Sequence, residues 1–265
     1  MSFRRRYFTG VLAILVVAVF TANASDFWVK KDWKQWSKDE CEKILQDSPW
    51  TMKWAKSQMG SSQMPGVSGA NAEGAAGEKT PEMHYYVQLQ SSLPVREAVV
   101  RRSQIDQKYD KMTEAQKKDF DTKAGALLSR NYDDVISIHV TYGSNLQSFE
   151  RDMATYWKGI PPDGPPIDLY LINERGDRVP PIRINSPQNG SYSFDLIFPR
   201  LKNHEPIVHD GDKAFSLQFT HPAIGNQTQR TTTNPSDPSM DVFGEERVLI
   251  QFKLDKMMVN GKASY

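Results

Sequence analysis

Tyr192-Ser193-Phe194-Asp195-Leu196-Ile197-Phe198 sets apolar residues against polar ones at every second position for most of its length, which is the period of a strand with one face buried. Val248, Ile250, Phe252 and Leu254 repeat that period near the C-terminus. Between and before these two stretches, residues 167–173, 179–185 and 215–220 read as further short strands. Turn text separates them at Glu174-Arg175-Gly176-Asp177, Pro187-Gln188-Asn189-Gly190 and Asp210-Gly211-Asp212. Two more strands are expected upstream, at 84–90 and 134–142. Short strands at this spacing point to an α+β chain that is mainly an antiparallel β-sandwich.

Helices are written into the same body. Pro94 opens one, with Val95, Val99, Arg102, Ile105 and Tyr109 on a stripe. Thr113 and Gln116 cap a second, in which Phe120, Ala124, Leu127 and Leu128 share a face. Together they form a helical hairpin inserted at 94–130, and residues 147–157 add a short helix.

Residues 57–80 carry five of the chain's 16 glycines and little that can be buried, the composition of a flexible linker. The expected organisation is therefore a body at 81–265, a linker at 57–80 and a Trp-rich helical arm at 25–56. That arm holds five of the six tryptophans, Trp28, Trp33, Trp36, Trp50 and Trp54, interleaved with lysines. Ser37 with Glu40 makes a capping box ahead of Cys41, Ile44 and Leu45, and Ser48-Pro49 is expected to start a second helix with Trp50 and Trp54 one turn apart.

Residues 1–24 read as a signal peptide. Arg4, Arg5 and Arg6 precede the apolar run Val11 to Phe20, and Ala22-Asn23-Ala24 places small residues at a cleavage point before Ser25. The apolar stretch is shorter than the ~20 residues that cross a bilayer, so no transmembrane span is expected in the mature chain. The expected location is secreted or periplasmic. The 33 basic and 32 acidic residues of the 265-residue chain nearly cancel. Losing the signal's three arginines tips the balance to 30 against 32, so no chain-wide basic field favours nucleic acid as a partner. Cys41 is the only cysteine, which rules out an internal disulfide.

The chemistry-bearing residues are sparse. His204, His209, Asp210 and Asp212 lie in one loop and are candidate metal ligands for a metal-assisted hydrolase. Their spacing is not that of a zinc-binding helix, because the two histidines stand five apart with Pro206 between them. A polar hairpin loop is the favoured interpretation. No phosphate loop, dinucleotide fingerprint or nucleophile elbow is present, and no catalytic residue or cofactor is assigned. The five arm tryptophans suit either a binding surface for a protein, envelope component or carbohydrate, or packing against the body, which is favoured.

The string Asp32-Trp33-Lys34-Gln35-Trp36-Ser37-Lys38-Asp39-Glu40-Cys41-Glu42-Lys43-Ile44-Leu45, followed by Asp47-Ser48-Pro49-Trp50, resembles the N-terminal signature of an uncharacterised family of exported bacterial proteins. Ser92 to Ala98 and the C-terminal strands resemble it more loosely. The resemblance implies export from a bacterium, with no activity or cofactor attached. The function expected is non-enzymatic interaction with a protein or envelope component.

Overall fold

The computed structural model describes residues 27–57, 82–145, 147–161, 168–188, 190–209, 211–222, 224–225, 241–243 and 246–265. The expected signal peptide and its cleavage residues Ala22, Ala24 and Ser25, nearly all of the expected linker, and Asp210 lie outside them.

Five α-helices occur among the described residues: α1 (Phe27–Lys30), α2 (Lys38–Gln46), α3 (Leu93–Asp106), α4 (Glu114–Leu128) and α5 (Gln147–Lys158). The strands, in chain order, are β1 (Thr51–Ser57), β2 (Glu82–Leu89), β3 (Val135–Ser144), β4 (Tyr170–Ile172), β5 (Arg178–Val179), β6 (Arg183–Asn185), β7 (Ser193–Pro199), β8 (Leu201–Lys202) and β9 (Glu205–Pro206). They continue as β10 (Ala214–His221), β11 (Ile224–Gly225), β12 (Asp241–Phe243), β13 (Glu246–Lys253), β14 (Met258–Val259) and β15 (Lys262–Ala263). The chain is thus mixed α+β, and its sheets are antiparallel.

A five-stranded sheet runs β1-β2-β3-β7-β6, and a four-stranded sheet runs β13-β10-β4-β5. The period-2 pattern becomes burial in both. Phe194, Leu196 and Phe198 of β7 are buried, as are Val248, Ile250 and Phe252 of β13. Contacts join the two sheets across the core: the Tyr85 and Phe219 rings meet edge to face at 5.0 Å. Trp157 of α5 stacks on Phe194 at 4.0 Å and meets Phe219 at 5.7 Å. One buried polar link crosses as well, Tyr85 Oη to His221 Nδ1 at 3.0 Å.

The expected single strand at 179–185 is instead two strands in different sheets. Pro180 and Pro181 lack the N–H groups a ladder needs. They carry the chain from β5 in one sheet to β6 in the other.

The arm also differs from its sequence expectation. The capping box of α2 forms, with Ser37 Oγ accepting from Glu40 N and Glu40 Oε2 accepting from Ser37 N. The second helix does not. Thr51–Ser57 is the edge strand β1, paired over seven positions with β2, from Thr51↔Gln88 to Ser57↔Glu82. A spacing of four residues keeps Trp50 and Trp54 on one side of a strand as readily as on one side of a helix. The long ladder with β2 prevails over a weak local start. In α3 the buried positions include Val95, Arg96, Ala98 and Val100, whereas Val99 of the expected stripe is exposed.

Candidate functional site

The tryptophans are largely part of the core. Trp28, Trp36 and Trp50 are buried, and Trp33 and Trp54 are half-buried against the same cluster. Trp28 and Trp50 meet at 5.1 Å, Trp36 Nε1 donates to the Lys31 carbonyl at 3.2 Å, and Trp50 Nε1 donates to the Ser264 carbonyl at 2.6 Å. Trp54 packs on Tyr85 and His221. Of the five, Trp33 and Trp54 are thus the half-buried ones.

The His-rich loop is a tight hairpin. β8 and β9 pair through a two-residue connection, Asn203 and His204, both at positive φ (55° and 67°), as hairpin turns of the primed type require. Asp212 turns back on its own loop, accepting from His209 N at 2.8 Å. Arg175 lies 3.6 Å from the same carboxylate. Among the described residues no three His, Cys, Asp or Glu side chains come together as a metal site. Cys41 is buried, and burial pushes its thiol up to about 11, which disfavours the thiolate.

His139, which reads from the sequence as a satisfied structural histidine in strand text, faces Asp195 across β3 and β7 with Nδ1 and Oδ1 2.6 Å apart, a partner the sequence does not announce. Burial is the largest influence and acts to raise the Asp195 pKa, but the bond and charge of His139, the Asn185 amide and the Arg130 charge together outweigh it and hold the carboxyl below its ordinary value. The pair is half-exposed, and the Asn185 amide lies at hydrogen-bond limit from Asp195.

A larger gathering also escaped the sequence. α3, the turn after α4 and the end of β7 surround a polar cleft of about 580 Å³ whose walls include Arg96, Arg130, Tyr132, Asp133 and Arg200. Arg96 is nine-tenths buried. Its Nη1 donates to the carbonyls of Leu128 (2.7 Å), Arg130 (3.1 Å) and Leu127 (3.3 Å), and its Nη2 to that of Ser91 (3.4 Å). It thereby satisfies carbonyls that the last turn of α4 leaves open.

Two cations lie over the Tyr132 ring, the Arg96 guanidinium 5.0 Å and that of Arg130 5.3 Å from its centroid. Arg200 Nε donates to the carbonyls of Tyr132 (2.8 Å) and Val135 (3.2 Å), its Nη2 to the main-chain oxygen of Tyr265, and its guanidinium covers the Tyr265 ring at 4.6 Å. Burial draws both Arg96 and Arg200 below the usual arginine value.

Two features give the cleft binding chemistry. Among the described residues neither Arg96 nor Arg130 forms an ion pair, so cationic charge stands there with Asp133 as the carboxylate on the wall. Arg96 Nε and Tyr132 Oη are buried with no hydrogen-bond partner, a cost that folded proteins ordinarily avoid. The three arginines are dispersed from 96 to 200, so no local motif announces them. No family model, curated protein or solved structure matches the chain.

Proposed function

We propose that this chain is an exported, non-enzymatic binding protein of the cell envelope that takes up an anionic component in the cleft of Arg96, Arg130 and Arg200. The observation that carries the proposal is the guanidinium pair stacked on Tyr132, charged and without an ion-pair partner among the described residues. Guanidinium groups present planar arrays of donors suited to oxyanions. The signal-like N-terminus, with a cleavage point before Ser25, supports export to a secreted or periplasmic location. Membership of the exported bacterial family with the Trp-x-x-Trp-Ser signature belongs to the same proposal. Among the described residues, no helix is long and apolar enough to cross a membrane.

The two main sheets form, in this proposal, an antiparallel sandwich, with α3 and α4 as an inserted hairpin that delivers Arg96 and Arg130 to its edge. The cross-sheet packing of Tyr85 on Phe219 supports that arrangement.

The test is the thermal midpoint in sodium phosphate against sodium chloride at matched ionic strength. A ligand that binds only the folded chain raises the midpoint. Phosphate is expected to raise it for the natural chain and not for Arg130→Gln. Equal midpoints in the two salts, or an unchanged rise in Arg130→Gln, would refute the proposed anion site.

A further inference from the structure

The arginine cleft does not stand alone. A second, smaller pocket of about 250 Å³ shares Arg130, Asn131 and Tyr132 with it and is otherwise walled by Val135, Ile182, Arg183 and Ile197. Ile182 is 56% exposed although it neighbours the main sheet, where its N–H bonds the Ile197 carbonyl at 2.8 Å. Arg130, Asn131 and Tyr132 therefore border two adjoining hollows, one polar and arginine-lined, the other adding Val135, Ile182 and Ile197 beside Arg183. An exposed isoleucine is unremarkable singly. One that borders a hollow beside a guanidinium with no ion pair among the described residues is a complement to a particular kind of molecule.

We infer that the two pockets together bind one amphipathic anion, a phosphate ester carrying a short apolar chain, with its phosphoryl oxygens among Arg96, Arg130 and Arg200 and its chain over Ile182 and Ile197. This rests on the anion-binding role proposed above and adds the class of ligand. Three arginines reach the polar side from three separate segments: α3, the turn after α4, and the residue following β7. Arg130 is the exposed donor, while Arg96 and Arg200, whose donors are largely held by main-chain carbonyls, add positive charge that suits a doubly charged phosphoryl group better than a singly charged carboxylate. Asp133 on the same wall sets a condition: the ligand's charge must outweigh one carboxylate.

Calorimetric titration of the chain with inorganic phosphate and with hexyl phosphate separates the two levels of the proposal. Hexyl phosphate is expected to bind roughly tenfold or more tighter than inorganic phosphate, since each buried methylene multiplies affinity about fourfold. Arg130→Gln is expected to weaken both ligands. Ile182→Ser is expected to remove the advantage of the hexyl chain while leaving inorganic phosphate unchanged. Both positions are exposed, so the variants should keep the fold, which their unliganded melting temperatures verify. If phosphate binds but hexyl phosphate binds no tighter, the amphipathic ligand is wrong and the anion site survives. If Ile182→Ser retains the full hexyl advantage, the chain lies elsewhere and the inference fails. If neither ligand binds, both levels fail.

Discussion

The helices α2 and α4 are both opened by a complete capping box, Ser37 with Glu40 and Thr113 with Gln116, yet α2 buries Cys41 and Ile44 whereas none of the 15 residues of α4 is buried. α2 sits in the arm whose indoles belong to the main core. α4 leans on α3 through Phe120, Ala124 and Leu127, which line an open groove with Val99 and Val100. A cap fixes where a helix starts and says nothing of what its sides will meet. The arm is thereby committed to the fold's global stability, while α4 depends on its own helical propensity and on the Arg96 bonds at its end.

The largest expected effect tests the arm. Trp50→Ala should cost about 3–5 kcal/mol, the range for large-to-small core changes, and lower the melting midpoint by roughly 6 °C or more. A shift under about 1 °C would show that the arm is an appendage like α4 and erase the contrast.

The second expectation lies at the seam where Trp54 of the arm covers His221. Burial, aided by Lys56, pulls the His221 pKa down to about 4 from its ordinary 6.5. The unfolded chain therefore binds the proton more readily between those values. The associated stability is fully present above pH 6.5 and is lost as pH falls toward 4, up to about 3 kcal/mol. Midpoints measured from pH 7.5 to 4.5 should fall, and His221→Gln should flatten part of that slope. An identical slope in the variant would remove His221 as its source.

Gly125 lies inside α4 with open space where a Cβ would point. Gly125→Ala should stabilise that helix by roughly 0.5–1 kcal/mol, read as slower amide exchange confined to α4. Slower exchange spread through α2 and the sheets would mean that α4 is coupled to the core after all. The smallest effect is expected at the β8–β9 turn. His204→Gly combined with His209→Ala should change stability by no more than about 0.5 kcal/mol, glycine being suited to the positive φ at 204. Stoichiometric zinc in the purified natural chain, lost in that double variant, would instead promote the metal-assisted hydrolase.

Much of the secondary structure was legible because its signals are local. The alternation in 192–198 and 248–254 and the two capping boxes each need only a few neighbours to take effect. The errors have a common source. At Trp50 and Trp54 a spacing of four satisfies both periodicities, and the partner that decides between them, β2, begins 25 residues after β1 ends. The candidate site was illegible for the same reason: Arg96, Arg130 and Arg200 stand in separate segments with no local pattern to link them. Only their convergence on Tyr132 and its neighbours makes a cleft.

The bond from Trp50 to the Ser264 carbonyl spans 214 residues. While the chain is being synthesised, residue 50 waits for 214 further residues before its indole N–H can find that acceptor. β1 likewise waits for β2. Closing contacts of such separation are slow to form, because the intervening chain must first be ordered. The arm can therefore hold its capped helix early yet reach its final environment only late, leaving Trp50 exposed to water, and to any chaperone that recognises aromatic segments, until those later residues have been made.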